Sequence, residues 1–233
     1  MSSGPVPPAY QDLPAVHGDI VFRESDHTYW QGDPDGGERL LSATQVGKLA
    51  GLIDTRWFKP HHADRGTKIH KALEYFDQPD VDLDEENLDE AIVPYLTAYR
   101  KFIEDHQPRW EGVEEVMADT SLMLAGTIDR WGTMVVEGSV NRVMAVVDIK
   151  TGGSAPFHAL QLACYQHLII RHLQLTGKTT LTSSQYPVRR YALYLRKRGT
   201  YKLAPCTDVK DVAGFMAAHT VASWKVAQKV GLT

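Results

Sequence analysis

Between Met144 and Gly153 the chain reads Met-Ala-Val-Val-Asp-Ile-Lys-Thr-Gly-Gly, and few stretches of it restrict the fold so tightly. A short apolar run that breaks at glycines reads as a buried strand. Side chains alternate along a strand, so Asp148 and Lys150 share one face while Ile149 enters the opposite layer. A carboxylate and an ammonium at the mouth of a buried strand are costly to desolvate unless something there uses them. Upstream, Gly126-Thr127-Ile128-Asp129-Arg130 closes a second apolar segment, Leu122 to Ile128, and brings Asp129 as another carboxylate. Two carboxylates near one lysine suit a hard divalent cation, with the lysine beside the attacking water or a substrate oxygen. That combination points to metal-assisted phosphodiester hydrolysis. Asp-x-Lys alone is more often a surface ion pair than a catalytic pair, so the weight falls on the order of the remaining signals.

The pattern along the chain predicts an α/β architecture. Met1 to Ala15 is rich in Pro, Ser and Gly and reads as a tail, leaving 16–233 as a single domain. Ile20 to Trp30 reads as a strand, Gly32 to Gly37 as a turn and Arg39 to Leu41 as a return strand, which together predict a small N-terminal hairpin. Thr44 to Ala50 is expected to be helical, and Trp57-Phe58 to anchor the next connection. From His62 to Phe76, Ile69, Leu73 and Phe76 fall at helical spacing. Gly66 near its start allows close approach of backbone or phosphate. The acidic run Gln78 to Glu90 reads as a solvated loop before a helix from Leu88 to Ile103. Strands are expected at Val113 to Asp119, Leu122 to Trp131 and Arg142 to Ile149. A long helix follows from Pro156 to Leu175, then strands Arg190 to Arg196 and Tyr201 to Ala204, and a closing helix from Val209 to Val230. No internal repeat is visible.

Composition narrows the class. The 233 residues suffice for one sizeable core, and 43% hydrophobic with 23% charged residues is ordinary for a globular domain. No apolar run approaches a membrane span, and Cys164 and Cys206 provide no disulfide framework, so a cytoplasmic protein is expected. A net charge of −4 does not exclude nucleic acid as partner, because local charge decides. Arg65, Lys68 and Lys71, with the hydroxyls of Ser42 and Thr44, can bind phosphates without reading bases. Arg189-Arg190 and Arg196-Lys197-Arg198 can extend that track. Glu115 lies on the strand before Asp129 and is a candidate further acid. Glu114, its neighbour, should face the other way, so only one of the two can serve.

Five segments occur in a telling order: Leu41-Ser42-Ala43-Thr44, Arg65-Gly66-Thr67-Lys68-Ile69-His70, Gly126-x-x-Asp129, Asp148-Ile149-Lys150-Thr151-Gly152 and Gln161-Leu162-Ala163-Cys164-Tyr165. Together they resemble the PD-(D/E)XK nuclease superfamily, in particular its RecB-like and lambda-exonuclease-like branch with phage and mitochondrial relatives. The resemblance runs from about His27 to Tyr165. It implies a restriction-endonuclease-like core: a central mixed β-sheet flanked by helices. It also implies that His70, Asp129, Asp148 and the Ile149 carbonyl hold Mg²⁺ or Mn²⁺, the imidazole nitrogen suiting the softer ion. Lys150 would then act as base or as positioning group, and the centre should make its amine easier to deprotonate. Gln161 and Tyr165, one helical turn apart, would sit beside the site. Two departures stand out. Asp148 occupies a position where many members carry Glu, and two cysteines cannot supply the four-cysteine iron–sulfur site of some relatives.

The activity this implies is metal-dependent DNA exonuclease action in phage or bacterial recombination, repair or replication. A recombinase or single-strand-binding protein is a conceivable partner, and a homo-oligomer would favour processive threading of ends. The rivals are an endonuclease of the same fold, including one acting on flaps or branches, and a DNA-binding module without catalysis. Asp129, Asp148 and Lys150 together argue against the last, since a decayed site has no physical reason to keep buried charges.

Overall fold

The computed structural model describes residues 20–53, 60–78, 88–178 and 188–230, with residues 60–64 traced as helix only. The expected tail 1–15, Trp57-Phe58, the side chains of His61 and His62, and residues 79–87 of the acidic run lie outside the described residues.

One mixed eight-stranded sheet organises the chain. Strands β1 (Ile20–Arg23), β2 (Thr28–Gln31) and β3 (Glu38–Ser42) form an antiparallel meander. The expected single strand Ile20 to Trp30 is thus broken, by a 3₁₀ turn at Glu24–Asp26. The cause is local and polar. Arg23 pairs with Asp26 at 2.6 Å, the Thr28 hydroxyl donates to Asp26 at 2.7 Å, and His27 takes a left-handed backbone at φ 50. After β3 come helices α1 (Ala43–Leu49), α2 (Pro60–Asp77) and α3 (Val93–His106). Strands β4 (Arg109–Asp119), β5 (Leu124–Met134) and β6 (Val143–Lys150) follow, then helix α4 (Phe157–Leu175), strands β7 (Arg189–Arg196) and β8 (Thr200–Pro205), and helix α5 (Lys210–Ala227). The helix expected from Leu88 starts later because Asp89 accepts the Ala91 amide in a turn and Pro94 opens the first helical turn.

Each face of the sheet carries its own core. On one face Val46 of α1, Leu162, Cys164 and Leu168 of α4 and Phe215 of α5 pack over Ile128, Trp131 and Val146. On the other, Ile69 and Leu73 of α2 and Tyr95, Tyr99 and Phe102 of α3 cover Val147, Ile149 and Leu193. Each fully buried aliphatic side chain contributes about 1.5–3 kcal/mol, so Ile69 and Leu73 fix how α2 lies on the sheet and where His70 points. Val146 belongs to the first core and Val147 and Ile149 to the second, which puts Asp148 and Lys150 on the α4 side as the alternation predicts.

Strand β5 is the structural hinge of the molecule. Along one edge it pairs antiparallel with β4. Its other edge is shared: β3 runs parallel to it at Leu124 and Ala125, and β6 antiparallel from Arg130 to Met134. Gly126 to Asp129 lie in the fork between them.

Candidate metal centre

The fork leaves backbone donors to be satisfied by side chains. The Tyr29 hydroxyl, from β2, accepts the Thr127 amide at 2.9 Å and is bonded to the Thr127 hydroxyl at 2.8 Å. Asp129 Oδ2 accepts the Ile149 amide at 2.6 Å, tying the Gly-x-x-Asp segment to the Asp-x-Lys segment through one carboxylate. A Cβ at Gly126 would sit tight against the Tyr165 ring, at 3.0 Å, so a larger residue there would press on that ring.

His70 reaches the fork from α2. Its Nε2 lies 3.1 Å from the Ile149 carbonyl oxygen, and its Nδ1 lies 3.7 Å from Asp129 Oδ2 and 3.5 Å from Glu114 Oε1. One ligand-capable atom from each of His70, Glu114 and Asp129 falls within 4.8 Å of the other two, the geometry of a shared cation. Burial disfavours a charged His70, but Asp129 and Glu114 outweigh it and raise its pKa to about 9. Burial likewise raises Asp129 and Asp148, with the neighbouring cations opposing it.

Asp148 stands on the other side of the strand, with Lys150. Asp148 Oδ2 is buried and lies 2.7 Å from Lys150 Nζ, but no donor is aligned with it. Lys150 Nζ donates to Gln161 Oε1 at 2.9 Å, and Gln161 Nε2 donates to the Tyr165 hydroxyl at 2.9 Å. Lys150, Gln161 and Tyr165 therefore form a hydrogen-bonded chain, to which Asp148 is joined by its ion pair with Lys150. Burial favours a neutral Lys150, yet Asp148 and Asp129 more than offset it and raise the pKa of its amine; the expected easier deprotonation belongs to a site in which a cation neutralises those carboxylates.

The acid beside His70 and Asp129 is Glu114, not the expected Glu115. The Trp131 indole donates to Glu115 Oε2 at 2.6 Å, which holds that carboxylate away from His70 and Asp129. Gly112 makes room for this pair, since a Cβ there would meet both side chains at about 2 Å. Glu114 has a left-handed backbone at φ 46, and the register of β4 against β5 slips between Trp110 and Gly112. Beyond that slip the register is regular: Val113 pairs with Arg130 and Glu115 with Ile128, so Glu114 stands opposite Asp129 while Glu115 faces the other layer. Arg130, fully buried, then holds Glu114 Oε1 at 3.1 Å while its Nε donates to Asp77 at 2.6 Å. Neither Arg130 nor Asp77 was expected in this role. The signal was available in the charged residue that directly follows Asp129.

The expected phosphate contacts are placed unevenly. The Ser42 hydroxyl caps α1, accepting the Gln45 amide at 3.2 Å, and Gln45 Oε1 accepts the Ser42 amide in return at 2.9 Å. Ser42, Thr44, Lys48 and Tyr29 nevertheless line a cleft of about 320 Å³ that ends at Gly126 and Tyr165. Lys68 is exposed and Arg65 half-buried on α2. Gly66 lies near Thr151, whose hydroxyl a Cβ would meet at an ordinary 3.7 Å, so no close approach demands glycine. Arg190 is buried, donating to the Asp208 carbonyl at 2.7 Å and pairing with Asp211 at 3.1 Å, which removes it from a phosphate track. Arg196, Lys197 and Arg198 are exposed at the β7–β8 turn.

No known protein-family model matches this chain. No curated protein matches it either. Among the described residues, no helix is long and apolar enough to cross a membrane.

Proposed function

We propose that the protein is a divalent-metal-dependent DNA exonuclease of the PD-(D/E)XK type. The observation that carries the reading is the convergence of His70, Glu114 and Asp129 within 4.8 Å at the β5 fork, with Asp129 bonded to the strand that presents Asp148 and Lys150. The donor chemistry fits Mg²⁺ or Mn²⁺: hard carboxylate and carbonyl oxygens and one imidazole nitrogen. His70, Glu114 and Asp129 would hold the ion, with the Ile149 carbonyl beside His70; the expected ligand Asp148 lies outside that group, paired with Lys150. When bound, it supplies a Lewis acid for a phosphoryl oxygen and makes water easier to deprotonate.

The chain's own residues do the rest. Tyr165 orients Gln161, and Gln161 orients Lys150, so the ammonium is fixed at the strand mouth before substrate arrives. Paired with Asp148 and bonded to Gln161, Lys150 is placed to stabilise charge on a phosphate oxygen or to position the attacking water. In the hydrolysis itself a water oxygen forms the new P–O bond as the bond to the leaving oxygen breaks. The water gives up a proton and the leaving group gains one. The cleft bordered by Thr44 and Lys48 leads to Tyr165 and would carry the strand towards the centre.

The test uses end-labelled linear DNA and covalently closed circular DNA with Mg²⁺, Mn²⁺ or EDTA. The reading expects trimming of the linear substrate with either ion and none with EDTA, while circles survive. Rapid linearisation of circles would make the protein an endonuclease, and absence of any metal-dependent cleavage would refute both.

A further inference from the structure

Beside Lys150, in register on the neighbouring strand β7, stands Tyr194. Its hydroxyl lies 3.0 Å from Nδ1 of His158, in the first turn of α4. The Ala155 amide also points at that nitrogen, at 3.4 Å. An amide can only donate, so Nδ1 accepts, the ring proton sits on Nε2, and the Tyr194 hydroxyl donates as well. Nε2 makes no hydrogen bond among the described residues. The ring is half-buried and close enough to Lys150 and Asp148 to feel both charges. Burial and then the Lys150 ammonium push its pKa down to about 4, the Asp148 carboxylate opposing them, so the neutral Nε2–H form persists at neutral pH.

We propose that His158 is a substrate-contacting residue whose Nε2–H donates to a non-bridging oxygen of the phosphodiester held at Lys150, with Tyr194 as the positioning residue that fixes its tautomer. The inference rests on the nuclease reading above. A neutral donor suits this place. It adds a hydrogen bond to an anionic oxygen without a second positive charge beside Lys150, which would compete with a cation for the carboxylates.

The test is single-turnover hydrolysis of a 5′-labelled single-stranded oligodeoxynucleotide at saturating Mn²⁺. Wild type is compared with His158→Ala, His158→Gln, Tyr194→Phe and Asp148→Asn, with Mn²⁺ calorimetry and thermal melting on each. His158→Ala is expected to lose about ten- to hundredfold in kcat/KM, the worth of a hydrogen bond to a charged group, with Mn²⁺ affinity unchanged. His158→Gln presents an amide N–H and recovers part of the loss, and Tyr194→Phe falls between wild type and His158→Ala. An active wild type with an equally active His158→Ala, or a loss explained wholly by Mn²⁺ affinity or melting, overturns the role of His158 and leaves the nuclease reading standing. Tyr194→Phe indistinguishable from wild type overturns the positioning role. If wild type shows no metal-dependent cleavage, or Asp148→Asn cleaves as well as wild type, the nuclease reading falls and this inference with it.

Discussion

Glu114 holds a backbone conformation that costs a non-glycine residue about 1–3 kcal/mol, and Arg130 keeps its carboxylate beside His70 and Asp129. Strain of that kind persists only where the surroundings over-determine it. Glu114→Gln should therefore weaken Mn²⁺ binding by at least about tenfold in calorimetry, because it replaces an anionic oxygen, one of three converging ligand atoms, by a neutral amide. Glu115→Gln should leave Mn²⁺ affinity unchanged and lower only the melting temperature, through the Trp131 contact. A reversed outcome would restore Glu115 as the ligand. Asp129→Asn and Asp148→Asn should each abolish cleavage in a protein that still melts cooperatively, since each replaces a buried carboxylate by a group of the same shape. Residual Mg²⁺-dependent activity in either would refute the centre. At this scale the sequence was legible wherever alternation is regular: Asp148, Ile149 and Lys150 point as period two demands. At Glu114 and Glu115 alternation held, since the two face opposite layers, but a two-residue period does not carry the pairing of β4 with β5 that puts Glu114, and not Glu115, opposite Asp129.

Two elements owe their placement to side chains that the candidate metal centre does not use. The turn from β4 to β5 is clamped to α4 by Asp119, which accepts from Ser121 and lies 2.8 Å from His167 Nε2. Burial alone would raise the Asp119 pKa, yet His167 and Ser121 prevail and hold it well below the usual carboxylate range. A depressed carboxyl contributes stability that is present above its unfolded pKa, about 4, and is lost as pH falls through the folded value. Asp119→Asn should thus cost about 1–3 kcal/mol at neutral pH, and denaturant titrations should find the gap to wild type closing below about pH 4. A gap that stays constant into acid would place the stabilisation elsewhere. Ser42→Ala should cost about 1 kcal/mol by uncapping α1. The elements themselves were readable from periodicity, and most boundaries moved by a few residues. What periodicity could not supply was the extra turn in the meander, which polar contacts of Asp26 impose, or the early start of β4 at Arg109.

For the whole molecule, the fork in β5 explains how one sheet opens a site without losing its ladder. β3 and β6 diverge, the Tyr29 hydroxyl and the Asp129 carboxylate take up the freed amides, and the cleft along Thr44 and Lys48 ends at Tyr165. A cleft of about 320 Å³ is small beside a duplex, so under the proposed nuclease reading a single strand would fit this mouth better than an intact helix. Among the described residues Lys48 is the cation that lines the cleft, so attachment there should rest on a handful of phosphate contacts. The affinity for a 5′-labelled oligonucleotide should fall only modestly with salt, by a slope in log units of about −2 to −3 on the single-strand scale. Lys48→Ala and Lys68→Ala should each reduce that slope by about 0.7 while leaving the rate of bound substrate near wild type. A salt slope several-fold steeper would mean a long basic track across the surface, such as one through Arg196, Lys197 and Arg198, and would remove the argument that a single strand is what this cleft admits.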